Sequence, residues 1–151
     1  MFRRPLIVFF ALLAAIAFGQ GTPATVKVTL PKTAKAGSTV KGIVEVTFAD
    51  GMHGYQNPPT EDYMIPVKLT VDTKGFSLKP TYPKGALRTF AGDPKPAAVY
   101  EGTIKIPISL TLPKTTGAAT IKLTVHYQQC NDQTCFPPET VTSTAKVQLT
   151  K

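Results

Sequence analysis

Cys130 and Cys135 are the two cysteines of a 151-residue chain, and they lie in the stretch HYQQCNDQTCFPPET, residues 126–140. Two thiols this close can form a disulfide that pins a loop, cycle as a dithiol–disulfide couple, or supply half of a metal site. As a staple the pair is weak: a closed loop of about six residues contributes roughly 2 kcal/mol in the chain-entropy model, against about 4.7 kcal/mol for 100 residues. Cysteines held together by a tight turn are also prone to strain, and strained or exposed disulfides are the more reducible ones. The spacing therefore favours exchange, while small hairpin disulfides of secreted domains keep the staple open as the alternative. A metal would recruit His53, His126, Met52 or Met64 as borderline and soft ligands. No paired zinc motif is present, and His126, between Val125 and Tyr127, falls on the polar face of an alternating segment. No metal and no cofactor is expected. Glu61 and Asp62 are expected to face solvent, and Asp132, inside the cysteine loop, would disfavour a thiolate there. Other catalytic signatures are missing: the chain has no G-x-S-x-G elbow, no phosphate-cradling glycine loop and two histidines in all.

The segments that must position the cysteines read as strands. Val26, Val28 and Leu30 alternate with Lys27 and Thr29; Val40, Val44, Val46 and Phe48 share one face against Lys41, Glu45 and Thr47. Val67, Leu69 and Val71 alternate with Lys68, Thr70 and Asp72, and Ile104, Ile106, Ile108, Leu110 and Leu112 form the longest such series. Ile121, Leu123, Val125 and Tyr127 lead into Cys130, and Val141, Ala145, Val147 and Leu149 follow it. This is the period of half-buried strands. With 14 prolines and 11 glycines and no sustained helical spacing, the pattern predicts seven or so strands in an all-β, immunoglobulin-like antiparallel β-sandwich. Pro107 predicts an edge or a bulge, since proline cannot donate to a ladder. Residues 49–64 and 83–98 read as long loops, and the cysteines as flanking a hairpin tip built of Asn131, Asp132, Gln133 and Thr134.

The N-terminus carries Arg3 and Arg4, then an apolar run of 13 residues, 6–18, then small residues. That is a signal-peptide pattern and is shorter than the ~20 residues of a membrane span. Cleavage after Gly19, with cleavage after Ala17 as the alternative, defines residues 1–19 as signal and 20–151 as one exported domain with no membrane anchor, expected to be a monomer. Loss of the two arginines lowers the net charge from +8 to +6. The lysines are scattered rather than clustered, which argues against nucleic-acid binding. Export puts the thiols in the periplasm or outside the cell, where disulfides persist.

The segment VHYQQCNDQTCFPPETV resembles the cysteine hairpin of the N-terminal periplasmic domain of the DsbD thiol:disulfide interchange reductases and their stand-alone relatives. DGMHGYQNPPTEDYMIPVKLTV at 50–71, YPKG at 82–85 and VYEGTIKIPISL at 99–110 occur in the matching order. The resemblance implies an immunoglobulin-like fold with Cys130 and Cys135 as the redox pair and Cys135 as the partner of mixed disulfides. It implies a thioredoxin-like electron donor and client periplasmic thiol oxidoreductases, including those of cytochrome maturation. It also implies a cap loop with an aromatic residue, matched by Phe90 of TFAG, and a site lined by His53 and Tyr55. Phe136, Pro137 and Pro138 adjoin Cys135 as further lining, the prolines either stiffening the hairpin base toward a partner or ending strand pairing. The loop between the cysteines is one residue shorter than in the best-known members. The chain ends at Lys151 without a thioredoxin-like C-x-x-C domain, so the donor is expected to act in trans.

Overall fold

Alternating side chains bury one face of each segment and leave the other in water, and strands follow throughout residues 22–92 and 94–151, the part of the chain that the computed structural model describes. The predicted signal segment lies outside the described residues. In chain order the strands are β1 (Thr25–Thr29), β2 (Thr33–Lys35), β3 (Thr39–Thr47), β4 (His53–Tyr55), β5 (Lys68–Val71), β6 (Ser77–Pro80), β7 (Ala86–Arg88), β8 (Ala97–Glu101), β9 (Thr103–Thr111), β10 (Gly117–Tyr127), β11 (Gln129–Cys130) and β12 (Glu139–Thr150). No helix occurs among the described residues.

Three four-stranded sheets result, ordered β1-β3-β9-β6, β2-β12-β10-β5 and β11-β4-β8-β7. The paired strands are antiparallel except β2, which runs parallel to β12. The first two sheets face each other. Val44, Val46, Ile106, Ile108 and Leu110 of one meet Leu69, Ile121, Leu123, Val125, Val147 and Leu149 of the other in one buried cluster. This is the expected immunoglobulin-like β-sandwich, and its third sheet carries the cysteine segment.

Twelve strands replace the seven or so expected because β8 and β11 are set off from β9 and β10, the two long loops contain β4 and β7, and the short β2 and β6 lie in segments where no alternation stood out. Gly102 separates β8 from β9 with φ 58°, a left-handed conformation that glycine adopts without penalty. Gln128 separates β10 from β11. The stretches 49–64 and 83–98 contain β4 and β7, three residues each, too short to show a period. Pro107 departs from expectation more plainly. It lies in β9, an interior strand whose register with β3 runs unbroken from Thr39↔Thr111 to Thr47↔Thr103. Its missing N–H is tolerated because β6 ends at Pro80, beside it, and the single bond there is donated by Thr81 to the Pro107 carbonyl at 2.8 Å.

The third sheet rests on the core through Gly54. A Cβ at this position would stand 2.5 Å from the Phe48 ring. Phe48, 2% exposed, cannot retreat, because its ring meets Tyr127 edge to face at 5.8 Å and 82°. Gly54→Ala is therefore expected to destabilise the domain by about 1–3 kcal/mol, the usual range for overpacking. The check is a lower urea midpoint at unchanged slope.

Candidate functional site

The β10–β12 ladder closes at Tyr127↔Glu139 and then gains a residue on one side. Phe136 donates its N–H to the Gln129 carbonyl at 2.9 Å, so Gln128 alone faces both Pro137 and Pro138. An extra residue of this kind bends a strand, and prolines suit it because they have no N–H to leave unpaired. The bend carries Gln129 and Cys130 off the sandwich onto β4, in the register Gln129↔Gly54 and Cys130↔His53. Beyond it Cys130 and Cys135 form a bridge pair across the hairpin tip, as expected of them, and are joined at an S–S distance of 2.03 Å. The tip is independently tied. Asn131 Oδ1 accepts the N–H groups of Gln133 and Thr134 at 2.9 and 2.7 Å, and the Asn131 N–H bonds the Thr134 carbonyl at 2.9 Å.

The two sulfurs have unequal surroundings. Cys130 is 1% exposed and packs with Tyr55, Met64, Ala97 and Val99, with Phe90 laid against the cluster. Cys135 is exposed. Residues 53 and 55 share one face of β4, as alternate strand residues must, so both rings stand over the disulfide. The Tyr55 hydroxyl lies 3.5 Å from Cys130 Sγ and 3.6 Å from Cys135 Sγ. A disulfide sulfur carries no proton, so the hydroxyl is the donor. Phe90, on the loop between β7 and β8, stacks on the His53 ring at 4.4 Å with 14° between planes. The C-terminal side of that loop is held by Lys95–Glu61 at 3.0 Å and by the Ala98 N–H on Thr60 Oγ1 at 2.8 Å. A hollow of about 250 Å³ results, walled by His53, Tyr55, Tyr63, Phe90, Ala91 and the loop from Cys130 to Cys135.

The structure thus brings Cys130, Cys135, His53, Tyr55 and Phe90 together. Pro137 and Pro138 line a different hollow, with Pro23, Glu139, Thr140 and Val141. Phe136 holds the hairpin base through its backbone, accepting from Gln128 Nε2 at 3.0 Å. Of the residues weighed as metal ligands, His126 is exposed and contacts Thr140 Oγ1 at 3.2 Å, while Met52 packs on the main core. Among the described residues no group of three His, Cys, Asp or Glu side chains could hold a metal. Glu61 does not simply face solvent, because Lys95 engages it. Tyr63, 68% exposed on the rim, escaped sequence reasoning. Nothing in its neighbourhood signals that the turn at 60–64 folds back over the hairpin.

Burial holds the His53 pKa below its ordinary 6.5; Glu101 and Asp132 oppose this and Arg88 adds to it. Well above pH 6.5 the imidazole is neutral folded or unfolded, and its burial carries no ionisation penalty. As pH falls from there toward the lowered folded value, the unfolded chain binds a proton that the folded one refuses, and stability is lost. The urea midpoint should therefore decline between about pH 7 and pH 5, the histidine range. His53→Phe, which keeps a ring under Phe90, should remove this part of the decline.

With the site described, its relatives can be placed. The model of the family described as the thiol:disulfide interchange protein DsbD, N-terminal, matches residues 22–146. No curated protein sequence matches the chain. Among solved structures, the N-terminal periplasmic domain of ScsB from Proteus mirabilis is similar at TM-score 0.60 and 14% identity over 90% of this chain, which spans 49% of that one. The N-terminal domain of DsbD from Neisseria meningitidis, in its reduced form, aligns at TM-score 0.49 and 21% identity, covering 82% of this chain and 85% of that one. The first of these likenesses speaks to the fold. The family match, which takes in both cysteines and every strand but for the last four residues of β12, is the stronger statement: the chain belongs to the family of DsbD N-terminal domains.

Proposed function

We propose that this domain is a periplasmic thiol–disulfide interchange module that relays electrons through Cys130 and Cys135. The observation that carries the reading is the unequal exposure of the two sulfurs, one open at the hairpin tip and one sealed beneath Tyr55 and Phe90. A donor thiolate attacks the open sulfur of Cys135 in line with the S–S bond. A donor–Cys135 disulfide forms, the Cys130–Cys135 bond breaks, and the electron pair leaves on Cys130. The donor's second thiol then attacks its own sulfur in that mixed disulfide and releases Cys135, leaving the donor oxidised and both cysteines reduced. The reduced pair passes two electrons to a client disulfide by the same steps reversed.

The family's name supports thiol–disulfide interchange with partner proteins; in this reading the donor is thioredoxin-like and the clients are periplasmic thiol oxidoreductases, cytochrome-maturation thioredoxins among them. Residues 1–19 act as the export signal in this reading, and the mature domain works as a monomer without a cofactor. Among the described residues no helix is long and apolar enough to cross a membrane.

A purely structural disulfide in a protein-interaction module is the rival reading. Against it stands the hairpin tip, which the Asn131 bonds and the Phe136–Gln129 bond already close. Cutting the S–S bond removes little that these do not supply. Equilibration in graded thiol buffers should give a midpoint between roughly −270 and −180 mV, the range of exchanging oxidoreductases, with the fold retained. A midpoint below about −300 mV with unfolding on reduction would instead make the bond a staple. Phe90 serves as the cap in this scheme, lifting from His53 when a partner docks. Phe90→Ala should then speed reaction of the disulfide with small thiols, and an unchanged rate sinks that role.

A further inference from the structure

Resting on the interchange reading, we infer that the Tyr55 hydroxyl is a catalytic group of the exchange: it donates a hydrogen bond to the Cys130 sulfur as that sulfur departs as a thiolate, and keeps its own proton. Attack at the exposed Cys135 forces the negative charge onto a sulfur that is 1% exposed, among Met64, Ala97, Val99 and the Tyr55 ring. An anion formed away from water is expensive unless a donor faces it. A poor leaving thiolate slows exchange in proportion. Asp132, inside the loop and carrying the same sign of charge, gives no relief.

The Tyr55 oxygen is already placed for this task. It is 3.5 Å from Cys130 Sγ and 3.6 Å from Cys135 Sγ, so a small rotation of the O–H bond aims its hydrogen at whichever sulfur becomes anionic. The ring itself is 8% exposed, set in the middle sheet strand β4 and braced edge-on by the His53 ring at 6.0 Å and 77°. The ring is therefore held in place before the charge appears and only the O–H bond turns, close to the preorganised condition under which such donors are most effective. A phenol, with a pKa near 10, is a weaker acid than a thiol near 8.5. The proton accordingly stays on oxygen and the interaction is a charge-assisted hydrogen bond. When the donor's second thiol resolves the mixed disulfide, Cys135 leaves as a thiolate 3.6 Å from the same hydroxyl and takes its proton from solvent.

The test is the rate at which dithiothreitol reduces the oxidised protein near pH 7, followed by trapping free thiols. Tyr55→Phe keeps the ring and should react roughly 10-fold more slowly, the effect of losing a hydrogen bond to a charged group. In a Cys135→Ser background the same change should move the Cys130 thiolate absorbance about one pH unit upward, the same factor of ten. Should Tyr55→Phe fail to fold, 3-fluorotyrosine at position 55, a stronger donor in the native fold, should react faster than wild type. Unchanged rates and titration in the variant that folds overturn the proposal while leaving exchange intact. A wild-type disulfide that resists dithiothreitol until the chain unfolds overturns the interchange reading itself.

Discussion

The pairing of β10 with β12 is the constraint from which the site follows. Its register runs without a break from Gly117↔Leu149 to Tyr127↔Glu139, and side-chain parity along it is fixed by what the core accepts. A slip of one residue would expel Ile121, Leu123, Val125 and Tyr127 together, all of them fully buried. The sulfurs are delivered to each other by that burial. The bend at Gln128, opposed by two prolines, then redirects the pair from the sandwich to the smaller sheet. Position of the chemistry and stability of the fold are thus separated: burial along β10 sets one, and a one-residue irregularity beyond it sets where the sulfurs point.

The smaller sheet turns two neighbouring sulfurs into unequal ones. Val99 and Ala97 of β8 close over Cys130 from one side, Met64 from the turn before β5, and Phe90 from the loop before β8. Cys135 lies past the end of β11, where no strand covers it. A disulfide with one shielded and one open end has a built-in direction of attack, and the direction is set by packing contacts far apart in sequence. The hairpin base is held by a second polar set: the Tyr127 hydroxyl accepts the Ala24 N–H at 2.8 Å and donates to Glu139 at 2.7 Å. Burial and that bond to Glu139 push the phenol well above its ordinary pKa, so it remains a donor at physiological pH.

Much of this was legible before any coordinates. Alternation identified β1, β3, β5, β9, β10 and β12 but not the short sandwich strands β2 and β6, and the residue string around the cysteines, with HGY and TFAG, pointed to the pair and to the rings above it. β4 and β7 were not legible, since three residues carry no period and their identity as strands comes from the neighbours they pair with. Pro107 misled for a related reason: the rule that proline marks an edge concerns one side of a strand, and β6 happens to stop there. Tyr63 was silent because its approach to the hairpin is made by a loop, and Met64, weighed only as a metal ligand, reaches Cys130 as a packing neighbour by the same route. Which sulfur is buried could not be read locally either: the buried Cys130 lies among Gln128, Gln129, Asn131 and Asp132 while the exposed Cys135 precedes Phe136 and Pro137, and the difference in burial comes from contacts with residues 55–99.

The parity of β4 has a further consequence. His53 and Tyr55 point at the disulfide and Gly54 points at Phe48, so residues one apart face two different tasks. Changes at 53 or 55 alter what surrounds the sulfurs without touching the ring below, and changes at 54 do the reverse. Within this short segment reactivity and robustness therefore vary independently, and a lineage could retune its redox partner repeatedly along one face while the other is held to a single residue type by the space beneath it.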